Sequence, residues 1–244
     1  MAKVIDCSMI VSNKTWRPMW RVDIGTRWEN LVVVRGIRVI HQTSSIHMLA
    51  HCGTHMDSPL HYIDGGPTID NIPIENCFGE AAVIDLTDKG ELEPITAEDM
   101  EKRGKHVKEG DIVLLKTGWS EKNAGGNTER MEGLPFNSDF WARGPYPTKS
   151  MAEWNVKKKV KAVGFDGPNE CIQHKTVEYD CTRKGWPGKI EQEDVHLTHL
   201  GNGIIHIEYL TNLTAITKNR VKFFAVPLKL RTEGSPVRAF AIEE

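Results

Sequence analysis

The sequence lacks a long apolar run. No stretch approaches the roughly 20 consecutive apolar residues that a bilayer-spanning helix needs. A surplus of charge is missing too, since 31 Lys and Arg stand against 33 Asp and Glu for a formal net charge of −2. That balance gives no long-range pull toward nucleic acid or an anionic membrane. The basic cluster Lys157-Lys158-Lys159 has no interleaved aromatics to stack on bases, and it reads as the solvated end of a helix. Cysteine is sparse and odd in number: Cys7, Cys52, Cys77, Cys171 and Cys181, with no CxxC pair. Free thiols in a reducing compartment fit that usage better than disulfides. The opening Met-Ala-Lys-Val-Ile-Asp lacks the hydrophobic core of a secretion signal, so a cytoplasmic location is expected. No internal repeat, low-complexity linker or shift of composition divides the chain. A single domain over residues 1–244 is the expectation.

What is present is a series of short β-rich runs. Leu31–Val34, Gly36–Ile40, Ile46–Ala50, Ala81–Asp85, Ile112–Lys116, Ala162–Phe165, Ile204–Glu208, Lys222–Val226 and Val237–Ile242 read as strands. Several are fully apolar, which points to central positions in a sheet. Helices are fewer. Thr96-Ala-Glu-Asp is a capping box that opens a short helix through Arg103. Ser150–Lys159 and Glu191–Leu200 are the other helical candidates, and a polar stretch from Gly118 to Thr148 is long enough for a lid or binding loop. The fold class is therefore α/β: one mixed domain with a β-rich core and few helices.

The densest chemistry lies in His51-Cys-Gly-Thr-His55-Met-Asp57-Ser-Pro-Leu-His61, with three imidazoles and a carboxylate, all at odd positions. These are the nitrogen and oxygen donors that Zn²⁺, Mn²⁺ and Fe²⁺ favour. In a fully extended chain His51 and His55 would stand about 13 Å apart, too far to share one ion. The chain must bend, and Gly53 is the residue able to take the required backbone angles. Pro59 keeps the next stretch from continuing as a helix. Cys52 lies inside the cluster but has the opposite parity.

A second constellation surrounds His196 and Glu208. His196 falls on a helix that Gly201-Asn-Gly203 ends, and Glu208 falls in the apolar strand that follows. A glutamate beside Ile204, Ile205 and Ile207 is costly to bury unless it is paired or coordinates a cation; otherwise it projects outward from a half-exposed strand. His199 and His206 read as ordinary surface or core histidines. Asp166 directly follows an apolar strand, a place for a functional carboxylate and equally for a turn-forming one.

The pattern His-x-Gly-Thr-His-x-Asp-x-Pro-x-His, complete here from His51 to His61, resembles the signature of the cyclase-like metal-dependent hydrolases, a group that includes bacterial kynurenine formamidases and isatin hydrolases. The likeness extends to His196 twelve residues before Glu208, to Leu210-Thr-Asn-Leu213, to Lys116-Thr-Gly-Trp119 and to the strand ending at Asp166. The resemblance implies a swivelling β/β/α fold, a homodimer or higher homo-oligomer, and one or two divalent ions per chain, zinc or manganese. His51, His55 and Asp57 would hold the first ion. His196 and Glu208 would complete a second position bridged by Asp57, and His61 would be the acid/base group. The implied reaction is hydrolysis of a C–N bond in a small aromatic or cyclic amide, or in an aryl formamide.

Trp16, Trp20 and Trp28 are expected in an N-terminal loop region where such relatives place substrate-contacting aromatics, although they also suit the edge of a core. Trp119, with Phe136, Phe140, Trp141 and Asp166, could shape the pocket from the other side. Two rival readings remain. His55-x-Asp57 with His196 matches the two-histidine, one-carboxylate triad of non-haem iron oxygenases, and a catalytically silent metal site on the same fold would need a fourth ligand such as His61.

Overall fold

The computed structural model describes residues 2–13, 22–124, 143–168 and 194–244. Its strands are β1 (Lys3–Asp6), β2 (Asp23–Val34), β3 (Ile37–His47), β4 (His55–Asp57), β5 (Phe78–Asp85), β6 (Pro94–Ile95), β7 (Ile112–Lys116), β8 (Tyr146–Pro147), β9 (Ala162–Phe165), β10 (Ile205–Glu208), β11 (Arg220–Pro227) and β12 (Gly234–Glu243). Among the described residues there are four α-helices: α1 (Ala97–Arg103), α2 (Trp119–Ala124), α3 (Lys149–Lys158) and α4 (Asp194–Gly201). The protein is strand-rich α/β, and among these residues no helix is long and apolar enough to cross a membrane.

The main sheet runs β1-β12-β11-β5-β7-β9-β10-β4, and β4 also pairs with the start of β12. Seven strands thereby close into a barrel-like ring, with β1 and β4 sharing one edge of the long β12. Alternation along each strand sorts the core into two layers. Ile112 and Leu114 of β7 point into the ring with Met56, Val83, Ile205, Ile207 and Phe223. Val113 and Leu115 point outward, under the helices, with Met100, Met151, Trp154 and Val163. The capping box of α1 forms as its sequence requires, with the Thr96 hydroxyl accepting from the Asp99 amide and the Asp99 carboxylate accepting from the Thr96 amide.

Two expectations change. Leu31–Val34 and Gly36–Ile40 do not belong to the centre of a sheet. They lie in a hairpin whose strands, β2 and β3, pair among the described residues only with each other, turning at Arg35-Gly36 with positive φ at both residues. That is the backbone of a tight primed turn. Apolar composition was read there as burial, yet Leu31, Val32, Val33, Val34, Ile37 and Ile40 are all exposed. The strand expected over Ile46–Ala50 stops at His47, because the chain must turn at 48–54 to enter β4.

Candidate metal centre

The site grows out of one register. β4 pairs antiparallel with β10 so that Glu208 stands opposite His55 and His206 opposite Asp57. Directly opposed residues share a face of the sheet. Met56 and Ile207, between them, point into the apolar ring. His55, Asp57, His206 and Glu208 therefore project together from the other face, and for His55 and Asp57 the odd-position pattern is the period of a strand.

The flanks are set by the turns. Gly53 has φ +68°, which lets the chain reverse between His51 and His55. Thr54 fixes the entry to β4: its hydroxyl donates to the Tyr209 carbonyl at 2.7 Å and accepts from the Met9 amide at 2.8 Å. Pro59 opens a single 3₁₀ turn through His61, which brings the His61 ring to 4.3 Å from that of His51, centroid to centroid. From α4, His196 reaches over β10 and stacks on Tyr62 at 4.5 Å.

Distances within the cluster are short. His51 Nδ1 lies 2.8 Å from Asp57 Oδ1, and His55 Nε2 lies 3.2 Å from the same oxygen. His55 Nε2 is 3.6 Å from Glu208 Oε2. His196 Nε2 is 3.1 Å from Glu208 Oε1 and 3.8 Å from Asp57 Oδ2. Asp57 thus stands between a histidine pair on one side and His196 with Glu208 on the other.

Electrostatics follow from burial. Asp57 and Glu208 are almost fully buried, which by itself disfavours their charge. The surrounding imidazoles outweigh that cost. His55 and His51 hold the Asp57 carboxyl well below its usual range, and His196 and His206 do the same for Glu208, against the repulsion of Asp57. Burial works against charge on His51 as well, but the hydrogen bond and charge of Asp57, with Glu208 and Glu233, lift it to about 9. Burial pushes His61 down to about 4 and also lowers His199 and His206.

The donor set fits a divalent cation. His55 Nδ1 faces the Gly53 carbonyl at 2.9 Å, so it carries the proton and leaves Nε2 with a lone pair. That Nε2 and Asp57 Oδ2 are buried without a hydrogen-bond partner, while Asp57 Oδ1 faces the ring nitrogens of His51 and His55. Buried polar atoms are rarely left so, and orphaned acceptors beside a buried carboxylate match the lone pairs a metal takes up. Two groups of donors have atoms within 4.8 Å of one another: His51, Asp57 and His61, and Asp57, His196, His206 and Glu208. Asp57 belongs to both.

The remaining expected residues are distributed unevenly. Trp119 is buried at the start of α2, in an apolar cluster with Met9, Val22, Cys52 and Tyr209. Tyr209 in turn lies against the His55 ring at 5.4 Å, so Trp119 backs the site. Asp166 is buried, and its carboxylate accepts from the Thr117 amide, the Thr117 hydroxyl and the Gly118 amide, which anchors the turn between β7 and α2. These bonds are those of a turn-forming aspartate, and the same residue also lines a small pocket with Thr117, Pro145 and Phe165. Cys52 is fully buried and its thiol is pushed up to about 11, which leaves little thiolate for coordination or attack. Trp28 sits in strand β2, not in a loop. Trp16, Trp20, Phe136, Phe140 and Trp141 lie outside the described residues.

Three participants were not expected. His206 and His199, read as ordinary surface or core histidines, are fully buried, His206 beside Glu208 and His199 behind His206. The two-residue spacing of His206 and Glu208 on one strand was a legible signal. Glu233 Oε1 lies 3.2 Å from His51 Nε2, and its distance along the chain gave no such signal.

Comparison with known proteins agrees with this geometry. The family model described as "Putative cyclase" matches residues 5–170. A kynurenine formamidase from Paracidovorax citrulli is 41% identical over 200 residues, covering 80% of this chain and 77% of its own. An isatin hydrolase from Roseibium aggregatum is 29% identical over 207 residues, covering 79% and 71%. The solved isatin hydrolase A from Labrenzia aggregata, bound to benzyl benzoate, superposes with a TM-score of 0.73 over 99% of this chain and 94% of its own, at 21% identity. With its fold, its histidine-carboxylate centre and these relatives in agreement, the chain belongs to the cyclase family.

Proposed function

We propose that this protein is a metal-dependent amidohydrolase that cleaves a non-peptide C–N bond in a small cyclic amide or imide, or in an aryl formamide. The observation that carries the reading is Asp57, a fully buried carboxylate flanked by His51 and His55 on one side and by His196 and Glu208 on the other. His51, His55 and Asp57 would hold one ion, and Asp57, His196 and Glu208 a second. A bound Zn²⁺ or Mn²⁺ supplies Lewis acidity and lowers the pKa of water toward neutrality.

The chain's own groups do the rest. His61 is neutral at pH 7 and lies beside the His51 ring, and in this reading it would accept a proton from the attacking water and return it to the departing nitrogen. Glu233 orients His51 from its far nitrogen, as carboxylates orient ligating imidazoles. Tyr209 and the cluster around Trp119 close the side nearest His55 and help keep bulk water out.

The working unit in this reading is a homodimer in a reducing compartment, where the buried Cys7, Cys52 and Cys77 stay free. An isolated two-stranded hairpin is marginal in water. The apolar residues that β2 and β3 expose would gain cover from a second copy of the chain.

Elemental analysis of protein purified without chelator, joined to a hydrolysis screen of aryl formamides and cyclic imides, tests the reading. One or two equivalents of zinc or manganese with chelator-sensitive turnover is the expected result. No metal uptake, even after zinc or manganese is added back, would overturn it.

A further inference from the structure

Behind Glu208 runs a chain of buried polar groups that the proposed chemistry does not use. Asn155 on α3, His199 on α4 and His206 on β10 are all fully buried. Asn155 Nδ2 is 3.2 Å from His199 Nε2, and His199 Nδ1 is 2.9 Å from His206 Nε2. His206 Nδ1 then faces Glu208 Oε1 at 3.4 Å. We propose that Asn155 and His199 lock His206 in its Nδ1–H form, so that His206 is a positioning residue that directs a proton at Glu208 and holds that carboxylate toward His55 and His196.

The proton order follows from what each group can do. An amide NH₂ only donates, so His199 Nε2 must accept. A neutral imidazole has one N–H, which places the His199 proton on Nδ1, facing His206. His206 Nε2 must then accept, and its own proton is left on Nδ1, facing an oxygen that only accepts. Each step forces the next. The reverse order would set a lone pair of His206 against the lone pairs of Glu208, an arrangement that holds only with a cation between them, and His206 would then be a ligand.

The amide orientation of Asn155 is the key to the series. Its Nδ2 also donates to Met151 Sδ at 3.0 Å. Turning the amide over would put the carbonyl oxygen against that sulfur and against His199. It would also trade the unpartnered Oδ1 for an unpartnered NH₂, the costlier group to strand. The His206 ring is held in place by Phe165, edge-on at 5.0 Å, and by His196 at 4.6 Å. At 3.4 Å the last contact is longer than a settled N–H···O bond. It therefore acts on the direction of the Glu208 carboxylate rather than as a strong bond.

The inference rests on the metal-dependent reading for its purpose, and the two are tested separately. Protein labelled with ¹⁵N-histidine is examined by long-range ¹H–¹⁵N correlation, metal-free and with Zn²⁺ added. The expected spectrum shows both His199 and His206 protonated on Nδ1, in both states. His206 found as the Nε2–H form, with an Nδ1 shift that responds to Zn²⁺, would overturn the proposal and make His206 a ligand instead. Asn155→Asp places an acceptor against His199 Nε2 and should reverse both tautomers. His206→Gln should weaken the second Zn²⁺ about 10- to 100-fold while leaving the first unchanged. An unaltered second affinity would also overturn the relay. If either variant fails to fold, the wild-type spectrum still decides. Absence of Zn²⁺ binding would sink the hydrolase reading whatever the tautomers, and wrong tautomers sink the relay whatever the binding.

Discussion

Gly234 lies flat against the imidazole of His51. A β-carbon at position 234 would stand 2.8 Å from His51 Cε1 and 2.9 Å from Nε2, closer than such contacts occur. The glycine begins β12 and pairs with Asp57 across the ladder. The missing side chain is therefore what lets the His51 ring sit between Asp57 and Glu233.

Gly234→Ala should displace His51 and spare the fold, since the clash is with a side chain 23% exposed that can swing outward. The expected result is a loss of Zn²⁺ affinity at the first position of about 10- to 100-fold, the scale seen when a ligating histidine loses its orientation. Competition against a chromophoric chelator measures it, with a thermal melt as control. Unchanged affinity would mean that His51 is not a ligand.

His61 is predicted to be needed for turnover and not for metal. Burial holds it near a pKa of about 4, so it is a neutral base throughout the neutral range. His61→Ala should keep its metal content and lose on the order of 10²–10⁴ in rate, the usual worth of a positioned acid/base group. Its place beside His51 and Asp57 gives the experiment a clear alternative. A variant that also lost metal would make His61 a ligand.

The hairpin supplies a prediction about assembly. Val33 is 68% exposed and Ile37 66%, close to the Arg35-Gly36 turn. Replacing both with glutamate leaves the backbone pairing of the hairpin in place but would put charge in any interface between copies. Sedimentation should show a dimer for the parent and a monomer for the double variant, with little change in stability. A parent that sediments as a monomer would refute the dimer outright.

The sequence made the metal centre legible because the site is built on local periodicity. Parity put His55 and Asp57 on one face of β4, the glycine at 53 signalled the bend, and Glu208 in an apolar strand signalled a buried charge that needed partners. What escaped were relations the chain makes only on folding. Glu233 meets His51 across 182 positions, and Asn155 meets His199 across 44, with nothing in either neighbourhood to announce it. The hairpin misled for a different reason. Val32-Val33-Val34 has the composition of a central strand, and composition cannot say whether the apolar cover comes from the same chain.

Asp166 shows how burial can decide a pH dependence. Its carboxylate accepts three hydrogen bonds, which favour the charged form, yet burial outweighs them and pushes its pKa up to about 7. The unfolded chain ionises near the ordinary value of about 3.9. Between roughly pH 4 and 7 the native state therefore holds a proton that the unfolded state has lost, and stability from this group must fall as pH rises through that window. Asp166→Asn keeps an acceptor oxygen for the Thr117 hydroxyl or for the Gly118 amide but not for both, a loss that does not vary with pH, and it cannot titrate. Denaturant midpoints for both proteins at intervals from pH 4.5 to 7.5 isolate the effect, because the other carboxylates cancel in the difference. The stability of the parent relative to the variant should decline with rising pH, by at most about 1.4 kcal/mol per pH unit. A relative stability that rises instead would mean that the three donors at Thr117 and Gly118 outweigh burial and Asp166 is charged in the native protein.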